Sequence, residues 1–343
     1  MKTSTKWMIG IAAALVLFFL LIFYSSEIYV WAMGKITTLV IWAVIFLAGF
    51  LIGRFGGRRR RSRKNGFRPT TMTDRLRLRI SPCPNDTFMF EALLNGRIPT
   101  QGLAFEVGFQ DIEELNEGVS SPDGPDISKI SYAVLPAVVD RYALLDSGSA
   151  LGRGNGQLLV RRRGDRSPIR RVAIPGELTT ANAMLLRFFP SIVDRTPVLF
   201  SEIAAAVERG AFDAGVLIHE GRFTYERYNL ELVADLGALW ERQTGLPLPL
   251  GGIVASRELP AEVRRTFDRV LHDSIAYALE HPTVSRPFVR EHARELDDEV
   301  IDRHIALFVN RYSLALGEEG RRAVRELTGL PDLRLGWEPL HGS

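Results

Sequence analysis

Residues 171–219 alternate short apolar runs with helix-forming stretches, a pattern that restricts this part of the chain to a sheet with parallel strands. Strand-like runs at 171–175, 198–200 and 215–218 are separated by helical patterns at 181–189 and 202–208, and Gly210 stops the second helix. The last run, Gly215-Val-Leu-Ile218, is apolar without interruption, as expected of a strand buried on both faces. It delivers His219 at its carboxyl end, where open α/β sheets bind ligands. His219 is therefore a candidate functional group. The residues alone also allow a structural histidine that caps the strand end through the backbone.

The chain on either side uses the same vocabulary. Arg75-Leu-Arg-Leu-Arg-Ile80 alternates with period two and reads as a strand with Leu76, Leu78 and Ile80 on its apolar side. Pro82 and Pro84 end it, and Asn85, Asp86 or Thr87 is placed to cap a helix through residues 88–94. A helix start that faces a strand's carboxyl end offers backbone N–H groups to an anionic ligand. Strands follow at 103–109 and in Asp126-Ile-Ser-Lys-Ile-Ser-Tyr-Ala133, where Lys129 and Ser131 interrupt an otherwise apolar run. Lys129 can pair with a substrate carboxylate or lie on a solvated edge, and Ser131 can donate a hydrogen bond.

Thr179 and Thr180 open the 181–189 helix and suit both capping and ligand binding. The glycines at 148, 152, 154 and 156 lack the spacing of a phosphate loop, so their segment reads as a backbone-contact loop leading into a crossing between lobes. Residues 240–250 read as a proline-fixed loop before a strand at 251–256, and helices follow from Pro260.

A length of 343 residues implies about two lobes or domains. Charge is segregated between two regions. Residues 1–70 hold eleven of the 43 basic side chains but only Glu27 of the 40 acidic ones, so the rest of the chain is net acidic. Nothing in that acidic body points to nucleic acid. The single cysteine, Cys83, excludes an intrachain disulfide and reads as a packed thiol between two prolines. His272, His281, His292, His304 and His341 share no metal-ligand spacing and read as surface or packing residues, so no metal is expected.

Two apolar segments, 7–24 and 36–53, approach the roughly 20 residues that cross a bilayer. Lys2 and Lys6 precede the pair and the arginines at 58–61 follow it, which predicts a membrane hairpin over 1–64 with both ends cytoplasmic. Residues 65–74 read as a linker. The expected location of the large body is the cytoplasmic face of a membrane.

Several motifs occur together and in order. They are Ser81-Pro-Cys-Pro-Asn-Asp-Thr-Phe88, Ser128-Lys-Ile-Ser-Tyr132, Ser147-Gly-Ser-Ala-Leu-Gly-Arg-Gly154, Thr179-Thr-Ala181, Gly215-Val-Leu-Ile-His-Glu-Gly-Arg-Phe-Thr-Tyr225 and Thr244-Gly-Leu-Pro-Leu-Pro-Leu-Gly251. Over about residues 75–340 the chain resembles the 1,4-dihydroxy-6-naphthoate synthases of the futalosine route to menaquinone. It departs from them in the 1–70 segment and at Gln157, where proline is expected after Gly156.

The resemblance implies an α/β, two-lobed fold like the type II periplasmic binding proteins. One lobe would comprise 75–160 and 250–343, the other 161–249. It also implies a cofactor-independent lyase that splits cyclic dehypoxanthinyl futalosine, a small-molecule substrate held between the lobes. The catalytic base then falls on His219, and substrate contacts fall on Lys129, Ile130, Ser131, Thr180 and Ala181. A neutral imidazole suits that role, with activity falling as pH drops through a pKa of roughly 6.5. Chorismate dehydratase of the same route is the neighbouring alternative, and a membrane-tethered solute-binding protein is the non-catalytic one.

Overall fold

The computed structural model describes residues 75–293, 297–331 and 333. The apolar segments at 7–24 and 36–53 and the 65–74 linker lie outside the described residues. Among the described residues no helix is long and apolar enough to cross a membrane.

Two sheets organise the body. The first has the order β2-β1-β3-β11-β4, with β5 also paired to β11. Its strands are β1 (Leu76–Ile80), β2 (Phe105–Phe109), β3 (Ile127–Ser131), β4 (Tyr142–Leu144), β5 (Ala150–Gly152) and the long β11 (Leu248–Ser256). Strands β2, β1 and β3 run parallel, and β11 is antiparallel to β3, β4 and β5. The second sheet has the order β10-β6-β9-β7-β8. It comprises β6 (Leu158–Arg162), β7 (Arg171–Ile174), β8 (Asp194–Pro197), β9 (Ala214–Leu217) and β10 (Leu230–Asp235). Its β7, β8 and β9 are mutually parallel, as the alternation over 171–219 requires. Because β6 pairs with β9 and β10, the chain enters the second lobe by Leu158 rather than at residue 161.

Strand β1 shows how pattern becomes packing. Leu76, Leu78 and Ile80 are buried in one core cluster, while Arg77 and Arg79 face the other way and reach Asp126 and Glu106. Each fully buried aliphatic contributes about 1.5–3 kcal/mol, so Leu78→Ala, at a site with no exposed surface, should cost about 2–5 kcal/mol. The helix after β1 starts at Pro84, earlier than expected, with Cys83 at its N-cap and no capping side chain. Proline fits that first helical position because it has no N–H to leave unpaired. Asn85, Asp86 and Thr87 are thus inside the first turn, not caps.

Other local expectations fail as well: residues 248–250 belong to β11 and not to a loop. Residues 198–200 are not a strand: β8 precedes them and Phe200 begins the helix Phe200–Glu208. Residues 240–244 are not loop but the end of the helix Leu236–Thr244, capped by the Asp235 side chain at Ala238 N and closed by Gly245 in the left-handed region. Trp240 makes this helix a packing element; it is fully buried and its Nε1 donates to Pro247 O at 3.1 Å.

Candidate functional site

A cavity enclosing about 670 Å³, including its open mouth, lies against the carboxyl ends of β1, β3 and β9 and the start of the helix Thr180–Phe188. Its wall takes side chains from both sheets: Asp86 and Lys129 from the first lobe, Thr180 and His219 from the second. Strand β11 crosses beside it with Gly251, where a Cβ would sit 2.5 Å from Ile130 O.

His219 lies two residues beyond Leu217, the last residue of β9, with φ of 51°, a left-handed conformation that is uncommon for a residue with a Cβ. Such strain persists where surrounding structure holds it, often at functional sites. The Phe200 ring meets the imidazole edge-on at 5.0 Å between centroids, and the His304 ring stacks on it at 5.9 Å and 18°. Burial pushes the His219 pKa down to about 4, with Asp86 opposing the shift and Lys129 adding to it. The imidazole is therefore neutral at pH 7, and the expected 6.5 is corrected by desolvation.

Lys129 and Ser131 lie on one face of β3 and both line the cavity. Lys129 is not on a solvated edge: it is buried, with Nζ 3.0 Å from Asp86 Oδ1. Asp86 is fully buried and also accepts from Ser81 N, Ser81 Oγ and Asn85 Nδ2 at 3.2, 2.7 and 2.8 Å. Ser131 Oγ accepts from Asn116 Nδ2 at 3.1 Å, which leaves its hydroxyl proton for another acceptor. Ile130 points the opposite way, into a core cluster with Tyr132 and Leu144, so its side chain does not line the cavity.

On the second lobe, Thr179 Oγ1 caps the helix Thr180–Phe188 by accepting from Asn182 N at 3.2 Å. Thr180 Oγ1 donates to Leu250 O at 2.7 Å and so ties the helix start to β11. Thr180 and Ala181 precede the residues whose amides bond within the helix, and both line the cavity. Arg222 also reaches the wall, but its guanidinium donates to Gly156 O and Asp235 Oδ2 at 2.6 and 2.7 Å. Of the expected site residues, then, His219, Lys129, Ser131, Thr180 and Ala181 come together on the cavity wall, while Ile130, between Lys129 and Ser131 in β3, is turned into the core and does not line it.

Sequence reasoning missed the importance of His304. It is fully buried, stacked on His219, and its Nε2 lies 3.0 Å from Asn85 Oδ1. The buried Val300, Ile301, His304 and Phe308 of helix Asp298–Phe308 follow helical spacing, which signals burial but not proximity to residue 219. Cys83 is buried, and burial raises its thiol pKa well above the usual range, so it is an inert packed thiol. Among the described residues no group of His, Cys, Asp and Glu could hold a metal ion.

Residues 76–331 match the family model described as menaquinone biosynthesis. The chain belongs to that family. A Thermus thermophilus protein named 1,4-dihydroxy-6-naphtoate synthase is 47% identical over 254 residues, covering 74% of this chain and 92% of the relative. A Streptomyces coelicolor protein of the same name is 46% identical over 261 residues, with the same coverage. In three dimensions, a crystal structure of an Archaeoglobus fulgidus protein matches with TM-score 0.69 and 34% identity, covering 74% of this chain and 95% of that one. A Candida albicans protein with the generic periplasmic binding protein fold matches with TM-score 0.58 at 11% identity, over 76% and 92% of the two chains, a likeness of fold alone. The resemblance carried by the motifs is thus borne out, as is the two-lobed α/β fold of this menaquinone-biosynthesis family member.

Proposed function

We propose that this chain is a lyase that converts cyclic dehypoxanthinyl futalosine to 1,4-dihydroxy-6-naphthoate, with His219 as its general base. One observation carries the assignment of the base. His219 is a neutral imidazole on the wall of a cavity between two lobes, held in a strained backbone conformation at a strand's carboxyl end. The names of the Thermus and Streptomyces relatives support the substrate class. Ser131 and the first turn of the Thr180–Phe188 helix supply hydrogen-bond donors on opposite walls, suited to oxygen-rich groups of the substrate. Lys129, already paired with Asp86, contributes its remaining N–H bonds rather than an isolated charge. The positively flanked segments at 7–24 and 36–53 support attachment of this body to the cytoplasmic face of a membrane.

Purified protein given the substrate without added metal or nucleotide should release the dihydroxynaphthoate, read by mass spectrometry. His219→Asn should keep the fold and lose about 10²–10⁴-fold in turnover. A His219→Asn protein of near-parental rate would remove the proposed base. Parental protein that binds without turnover would make the chain a solute-binding protein.

A further inference from the structure

A catalytic imidazole is commonly oriented by a hydrogen bond from its second nitrogen to a carboxylate or carbonyl. His219 has no such bond to any described protein group; its ring neighbours are Phe200, at 5.0 Å between centroids and 66° between planes, and His304, near-parallel and offset at 5.9 Å. What fixes His304 therefore bears on the geometry of His219.

The His304 ring is fixed at several points. Asn85 donates through Nδ2 to Asp86 Oδ1 at 2.8 Å, which turns Asn85 Oδ1 toward His304 Nε2 at 3.0 Å. An amide oxygen only accepts, so His304 Nε2 carries the proton and Nδ1 is the bare nitrogen. Nδ1 is buried without a partner, and an unsatisfied acceptor is better tolerated than an orphaned N–H. Phe308 packs on the same ring at 4.5 Å. Asp86 is itself anchored by Ser81 and Lys129, so the chain of contacts runs from a buried ion pair to the face of the proposed base.

We propose that His304 is a positioning residue: fixed as its Nε2–H tautomer by Asn85, it supplies the face that holds the His219 imidazole and receives its charge when it takes a proton. This rests on the reading of His219 as general base. A neutral aromatic face attracts an adjacent cation. Burial and the neighbouring His219 both disfavour protonation of His304, so it does not compete for the proton. The charged groups that act on His219 are Asp86 from the helix Pro84–Leu94 and Lys129 from β3, and both remain in the variants below.

The test compares His304→Gln, which keeps a donor toward Asn85 and loses the ring, with His304→Phe, which keeps the ring and loses the donor. For a folded His304→Gln protein, kcat should fall about 10–100-fold with little change in KM. The acid limb of its kcat/KM profile should move down from near pH 4, because the protonated ring loses the aromatic face that receives its charge. His304→Phe should keep the parental limb and a rate within about fivefold. A folded His304→Gln with parental rate and limb overturns the proposal, as does a His304→Phe that loses as much as His304→Gln. If His304→Gln does not fold, His304→Leu, which also lacks the ring, takes its place in the comparison under the same criteria.

Nitrogen-15 NMR of histidine-labelled full-length protein, assigned with these variants, gives a readout independent of turnover. His304 should be the Nε2–H tautomer at pH 7, and the Nδ1–H tautomer would overturn the assignment. An inactive parental protein or an active His219→Asn would instead count against the lyase reading, leaving the tautomer result to stand by itself.

Discussion

Lys129 Nζ and Asp86 Oδ1 are 3.0 Å apart in a site where neither side chain has more than 6% of its surface exposed. Taking both charges out of water is costly, and the attraction between them offsets that cost only while both are present. Lys129→Ala strands a carboxylate in the core, so it should destabilise the fold by about 3–5 kcal/mol. Asp86→Asn together with Lys129→Met removes both charges and should recover part of that loss. Urea unfolding of Lys129→Met, Asp86→Asn and the double variant checks it; additive losses in the double variant would mean that the pair is not coupled.

Activity should stay level as pH falls through 6.5 and decline only near pH 4, because burial holds His219 neutral to about that value. Stability follows a different range. His219 and His304 both have pKa values below the roughly 6.5 of the unfolded chain, so between the two values the unfolded state binds more protons. The His219 contribution is complete above about pH 6.5 and is lost as pH falls toward 4, and that of His304 is lost in the same direction. A kcat/KM profile with its acid limb near 6.5 would show that the site does not hold the His219 pKa down.

Periodicity made the architecture readable. The unbroken run at 215–218 and its neighbours at 171–175 announced the parallel core of the second sheet, and the alternation at 76–80 announced β1. His219, Lys129, Ser131 and Thr180 stood out by their places at strand ends and a helix start, and motif order led to the family, which made them site residues and added Ile130 and Ala181. The pairing of Lys129 with Asp86 could not be read, because it joins residues 43 positions apart. His304 is more distant still, 219 positions from its partner Asn85, and nothing local distinguishes it from an ordinary buried helix residue. The helix containing Trp240 was hidden by the prolines at 247 and 249, whose influence stops at Gly245.

Gly156 and Gly237 let the crossing between lobes touch the start of the helix Leu236–Thr244. A Cβ on Gly156 would lie 2.2 Å from Gly237 Cα, and one on Gly237 would lie 2.5 Å from Gly156 Cα. The obstacle in each case is backbone, which cannot rotate away. Gly156→Ala should therefore cost about 1–3 kcal/mol. It should also raise KM more than it lowers kcat, since Asn155 and Gln157 line the cavity while His219 is on another segment. Thermal melts and steady-state kinetics check both parts; unchanged Tm and KM would mean that the helix start yields.

Asp268 provides the opposite pH signature from the histidines. It is buried in the helix Ala261–Glu280, accepts from Ser147 N at 2.9 Å, and its pKa is pushed up to about 6 by burial, with Asp146 adding repulsion. Its folded value lies above the ordinary 3.8, so the folded state holds the proton more tightly. Stability from this group is complete below about pH 3.8 and is lost as pH rises through about 6. Ionising it at pH 7 costs on the order of 3 kcal/mol. Asp268→Asn keeps an oxygen for Ser147 N and removes the charge. It should be more stable than the parent at pH 7–8 by up to about 3 kcal/mol, with the advantage gone by pH 4. Comparing the two proteins at each pH cancels the histidine contribution common to both. Urea melts at pH 4, 6 and 8 decide the matter, and an advantage that grows toward acid would show that the Asp268 carboxylate is stabilised in the fold after all.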